Sequence, residues 1–245
     1  MAGTVVVGAG CGGQQPVDVP ALARSVRDLT EAGWDAVLVT PPPASSDADL
    51  GAALTLALGQ SRAGRRAVPV LAHVLIDPLD PALAHPPDTA SPEPLAILEA
   101  EAIAALSRGG FAVVVADQVP VVPDGSVYQP VAARLDDAAT VRRVAGDLGA
   151  GALVFVTGHQ DPPFAGDIDR RAAERALADA PPCAAELQAV VRFLRAGGDL
   201  AVITTAALLP DALASTGTPG SGMLRIHRTL TPSRSEVPVL TAGWC

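Results

Sequence analysis

Residues 91–122 read SPEPLAILEAEAIAALSRGGFAVVVADQVPVV, and this stretch decides the fold. Leu95, Leu98, Ala102, Ile103 and Leu106 recur at helical spacing. The Ser-Pro-Glu-Pro lead-in predicts a helix start, because proline's missing N–H costs nothing in a first turn. Arg108-Gly109-Gly110 predicts its end, with a cation against the last carbonyls and then glycine for a left-handed cap. Residues 111–115 form a short continuous apolar run, as expected of a strand buried on both faces. A helix feeding a parallel strand puts ligand chemistry at the strand's carboxyl end. That end reads Val115-Ala116-Asp117-Gln118, which makes Asp117 a candidate binding residue.

On either side the same alternation repeats. Strands are expected at 4–7, 36–40, 67–76, 152–156, 200–203 and 223–227. Helices are expected from Asp18 to 32, from Asp47 to 60, from Asp136 to 148, and over 169–180, 183–196 and 207–214. Asp18 is an N-cap with Pro20 in the first turn behind it. Residues 77–94 read as proline-rich loop, Pro123-Asp124-Gly125 as a turn, and 237–240 as an extra edge strand in the tail 231–245. Strands alternating with helices predict an α/β fold, a mainly parallel sheet covered on both faces. No linker divides the sequence, so residues 1–245 are expected to form one domain.

Composition narrows the function classes. An apolar content of 49% with 23 glycines and 23 prolines belongs to a globular, loop-punctuated chain. The net charge of −9 argues against nucleic acid or an anionic membrane as partner. The longest apolar runs are of strand length, too short for a membrane span or a secretory h-region, so a cytoplasmic location is the default. Cys11, Cys183 and Cys245 have no paired spacing, suggesting neither a disulfide framework nor a zinc site. All 17 basic residues are arginine; the sequence contains no lysine.

Gly8-Ala9-Gly10-Cys11-Gly12-Gly13 follows the first strand and satisfies G-x-G-x-x-G. The next helix starts late for a pyrophosphate on its N-terminus, and the second strand ends Val39-Thr40-Pro41 without the acid a ribose requires. Gly8, Gly10, Cys11 and Gly12 therefore stand as candidates for a phosphate- or carboxylate-sized anion site, beside the plainer reading of a tight turn.

The motifs taken together resemble carbamate kinase. Ser91-Pro92-Glu93-Pro94, the helix, the glycine turn, the valine strand and Val119-Pro120-Val121 follow that family's order. The four glycines that the family carries before Ile-Pro-Val are replaced by Val115-Ala116-Asp117-Gln118. Asp77-Pro78-Leu79-Asp80-Pro81-Ala82 resembles the family's Asp-Pro-x-Asp-Pro-Ala, and Ala9-Gly10-Cys11-Gly12 falls on its glycine loop. Leu135-Asp136-Asp137-Ala138 falls on Ile-Asp-Lys-Asp, and Glu186 to Phe193 on a helix that begins with lysine and ends Ile-Arg-Phe. The protruding subdomain expected after Asp88 is missing. Gly158-His159-Gln160-Asp161 does not keep the nucleotide loop. The resemblance implies an amino-acid-kinase fold, a three-layer αβα sandwich, and pairing as a homodimer.

It also implies a changed chemistry. Three family lysines fall on Asp88, Asp137 and Glu186. Phosphoryl transfer asks the protein to position phosphates and stabilise their charge. A unit charge misplaced by about 4 Å at intermediate dielectric is worth about 4 kcal/mol, or roughly three orders of magnitude in rate. The leading expectation is a carbamate-kinase-like protein that has lost phosphoryl transfer, a pseudoenzyme subunit or small-metabolite binder needing no cofactor. Its ligand or partner is then a small metabolite or a second protein subunit. The alternative is a working kinase using MgATP, with Arg134, Arg142 or Arg143 in place of lysine. A third is an enzyme repurposed for a carbamoyl-type compound.

One reading, set behind the plainer one that follows, has Asp117, Asp136, Asp137 and Glu186, with Asp88, converge on the old transfer cleft, where they would favour an amine, a guanidinium or a divalent cation. The plainer reading makes Asp136 and Glu186 solvated helix starts. Among isolated candidates, His159 at a strand's carboxyl end suits acid/base work, and Cys11 in the glycine loop is a possible reactive thiol. His73, in an apolar strand, reads as a core or edge residue.

Overall fold

The computed structural model describes residues 3–10, 17–41, 50–59, 66–86, 89–157, 166–179, 181, 183–214 and 223–228. In the first half, β1 (Thr4–Ala9), α1 (Val19–Glu31), β2 (Asp35–Val39), α2 (Leu50–Gly59) and β3 (Ala67–Ile76) alternate as expected. They are followed by β4 (Pro94–Ile97), α3 (Ala100–Arg108), β5 (Ala112–Asp124) and β6 (Val127–Pro130). The second half carries α4 (Asp137–Asp147), β7 (Ala152–Thr157), β8 (Gly166–Asp169), α5 (Arg170–Ala176), α6 (Ala184–Arg195), β9 (Leu200–Thr205), α7 (Leu209–Leu213) and β10 (Met223–His227).

Among the described residues, ten strands form one sheet in the order β4-β3-β5-β2-β1-β7-β9-β10-β8, with β6 hanging from β5. The pairs β1–β2, β1–β7, β2–β5, β3–β5, β7–β9 and β8–β10 are parallel. Only β3–β4, β5–β6 and β9–β10 are antiparallel. One face is packed against α3, α4, α5 and α6 through Ile103, Val141, Ala173, Leu187 and Phe193. The other lies under α1, α2 and α7 through Leu22, Leu54 and Leu209. The three-layer αβα sandwich expected from the alternation is therefore present. Its centre is apolar on both faces: β1 and β7 read TVVVGA and ALVFVT and are buried almost end to end.

The stretch 91–122 is built differently from its helical spacing. Pro94–Ile97 is a short strand, with Leu95 half-exposed and Ile97 buried, and the helix begins only at Ala100. A period of two fits residues 94–97 as well as a period of three or four, and pairing with β3 decides it. β5 also runs past Val115 to Asp124, folding back through Gly125 (φ 61°) into β6. β8 was not foreseen: Gly-Asp-Ile-Asp offers a single apolar residue, Ile168, and forms an edge. The predicted loop before Pro94 contains one 3-10 turn, Pro81–Ala84. The tail 229–245, with its expected edge strand, lies outside the described residues.

Candidate functional site

Helices that precede parallel strands run back across the sheet, so their N-termini open at the strands' carboxyl ends. α4 leads into β7 and α6 into β9, and the two pack side by side. Asp136 caps α4 by accepting from the N–H of Ala139 at 2.6 Å, as its place before an apolar-periodic segment predicts. The start of α6 has no such cap: Cys183 makes no side-chain hydrogen bond to the first turn. Between these two helix starts lies a cleft of about 480 Å³, lined by Thr89, Ser91, Arg134, Asp136, Asp137 and Glu186 among others.

Three of the predicted acids thus meet. Glu186 is buried, and burial pushes its carboxyl above the usual glutamate range; Asp136 and Asp137 push the same way, while its own backbone N–H pulls it down. Asp137 is raised as well, by burial first and then by Asp136, with Arg134 opposing. Asp136 thus raises both neighbours, because a like charge disfavours the ionised form. Cys183 nearby is pushed up to about 12 by burial and by Glu186, so its thiol is held unreactive.

The remaining candidates fall elsewhere. Asp117 is exposed on β5 and does not line the cleft. Gly8 is used by the packing: a Cβ there would lie 2.9 Å from Val141 of α4 and 3.1 Å from Phe155. Gly10 has φ 81°, a conformation that favours glycine, and its N–H reaches Val156 O at 3.4 Å. Cys11, Gly12, Asp88 and His159 lie outside the described residues. Among the described residues no group of three or more His, Cys, Asp or Glu is arranged to hold a metal ion. His73 sits on β3 with its Nδ1 2.6 Å from Glu99 Oε1, a strand-to-helix tie.

Two structural residues escaped the sequence reading. Asp80 caps Ala82 N at 2.8 Å and accepts from Glu93 N at 3.1 Å, anchoring the segment that carries Ser91 to the cleft. The Asp-Pro-x-Asp-Pro-Ala motif carried that signal as a turn-capping pattern. Gln118, in place of a glycine, is buried and donates to Thr40 O at 2.6 Å, tying β5 to the end of β2. Ala116 fills the same tip so tightly that a Cβ on Gly51 would lie 2.5 Å from its own.

The arginines considered as lysine substitutes are largely committed. Arg142 pairs with Glu93 at 2.5 Å, and Arg143 pairs with Asp147. Arg134 alone of the three lines the 480 Å³ cleft. Among the described residues that line the cleft, one arginine therefore faces three carboxylates.

By sequence, the chain matches no protein-family model and no curated protein. By structure it is similar to carbamate kinase from Giardia, with TM-score 0.74 at 18% identity over 94% of this chain and 100% of that one. The Giardia lamblia carbamate kinase bound to AMP-PNP gives TM-score 0.72 at 19% identity, covering 92% and 98% of the two chains. N-acetylglutamate synthase from Neisseria gonorrhoeae is similar at TM-score 0.64 and 16% identity, over 92% of this chain and 61% of its own. The fold is the amino-acid-kinase fold.

Proposed function

We propose that this chain is a carbamate-kinase-like protein that has exchanged phosphoryl transfer for the binding of a small organic cation. The observation that carries the reading is the meeting of Asp136, Asp137 and Glu186 in one cleft, opposed among the described residues by Arg134. An ammonium or guanidinium group placed there relieves the mutual repulsion of the carboxylates and lets them ionise. The same carboxylates repel a nucleotide's phosphates. Absence of lysine from the whole sequence removes the usual point-charge phosphate ligand. A protein of this kind acts as a metabolite-sensing subunit, alone as a homodimer or beside another chain.

The second reading keeps kinase activity, because Arg134 does reach the cleft and a protein of the same fold has been solved with AMP-PNP. The experiment is carbamate-dependent ADP release with MgATP. The first reading expects no release above a protein-free control. Turnover that disappears in Arg134→Gln would establish the second.

A further inference from the structure

A smaller recess of about 140 Å³ adjoins the acidic cleft, and the two share Ser91, Asp136 and Ala185 in their walls. Its lining is mixed in charge, with Glu93 and Asp136 facing two arginines. Arg142 of α4 and Arg192 of α6 converge on it, with Gln188 beside them. Both guanidinium groups close on one carboxylate: Arg142 Nη2 is 2.5 Å from Glu93 Oε1, and Arg192 Nη1 is 3.2 and 3.1 Å from the two Glu93 oxygens. Both cations are thus turned to Glu93, while Asp136 stands in the wall shared with the cleft. Arg142 is mostly buried, and its Nε–H is buried with no hydrogen-bond partner. Glu93 itself is about half exposed, and an ion pair open to water holds weakly.

We propose that this recess receives the carboxylate of a zwitterionic ligand whose ammonium or guanidinium lies in the acidic cleft, with Glu93 as the chain's own stand-in for that carboxylate. The inference rests on the cation-binding reading of the cleft and names its ligand class, an ω-amino carboxylate or a basic amino acid. Spacing sets the length. Asp136 and Arg142 are six residues apart on α4, about 9 Å along the axis. Helical side chains lean toward the N-terminus, which brings the Arg142 guanidinium back toward the cleft. Paired guanidinium donors also match the planar geometry of a carboxylate. A ligand with four or so carbons between its charged ends spans the two recesses.

Titration calorimetry on the full chain, with 5-aminopentanoate, n-butylamine and pentanoate as probes, tests the proposal. 5-Aminopentanoate is expected to bind at least tenfold more tightly than either single-charge probe. Arg192→Gln should reduce it to the affinity of n-butylamine and leave n-butylamine itself unchanged. Glu93→Gln, which frees both arginines without emptying the position, should strengthen 5-aminopentanoate several-fold. The proposal is overturned if 5-aminopentanoate binds no better than n-butylamine, or keeps its advantage in Arg192→Gln. Binding of n-butylamine with no such advantage refutes the zwitterion alone; silence of all three probes refutes the cation-binding cleft with it.

Discussion

Two groups of carboxylates in this protein live under opposite rules. Glu93, Asp147 and Asp167 are each held by arginine: by Arg142 and Arg192, by Arg143, and by Arg225. Asp136, Asp137 and Glu186 share one cleft whose sole cation among the described residues is Arg134. The first group ties elements together. Glu93 binds the segment before β4 to α4 and α6; Asp147 also accepts from Ile97 N of β4 at 2.7 Å; Asp167 fastens edge strand β8 to β10. Among the described residues the second group shows no such tie apart from the Asp136 cap, and Asp137 and Glu186 have carboxyls raised by burial first and then by neighbouring carboxylates. Among the described residues, Arg134 lines the acidic cleft, while Arg142 and Arg192 beside it are turned to Glu93. An arrangement that stores unfavourable charge at a cleft is the usual mark of a binding site.

The largest expected effect breaks a clamp. Arg225 is buried and donates to both Asp167 oxygens, at 2.8 and 3.2 Å, and to Ala214 O at 3.0 Å. Arg225→Met leaves that carboxylate and carbonyl without their cation, and about 3 kcal/mol of stability should go. Urea unfolding measures it; a loss under about 1 kcal/mol would make the clamp ornamental.

Next comes the seat of the cleft. Gly8→Ala places a methyl against Val141 and Phe155, and overpacking of this kind costs about 1–3 kcal/mol. Adding Val141→Ala should recover part of that loss, since the two positions touch. Additive losses in the double mutant would show that α4 does not rest on β1 through this contact.

The smallest effect has the opposite sign. A carboxyl raised on folding stabilises the protein while protonated, and that contribution fades as pH rises through its folded pKa. Glu186 in the wild type is therefore a liability at neutral pH. Glu186→Gln removes it, and the melting temperature at pH 7 should rise by roughly 2–4 °C. The gain should vanish below about pH 4, where glutamate is protonated in both states. Melting curves over that range decide; a variant less stable than wild type at pH 7 contradicts the account of the cleft.

The alternation of strands and helices was legible because each central strand is a continuous apolar run and α1, α3 and α6 are amphipathic. Three of the predicted acids were brought together for the same reason: Asp136, Asp137 and Glu186 stand at helix starts, and topology sends those starts to one end of the sheet. What escaped had weak local signals. β4 hides in a segment whose leucines fit a helix, and β8 has only Ile168 to bury. Asp117 looked equivalent to the other acids by position in the chain, yet β5 continues through it toward β6 and leaves it exposed outside the cleft. Long-range pairs such as Arg192 with Glu93, or Arg225 with Asp167, leave no mark in spacing at all.

The most direct test is calorimetric titration of the full chain with 1,4-diaminobutane and, separately, with MgATP. The cleft described above should bind the diamine saturably at pH 8, lose affinity as falling pH protonates Asp137 and Glu186, and give no heat with millimolar MgATP. Saturable MgATP binding, with the diamine silent at every pH, would contradict it.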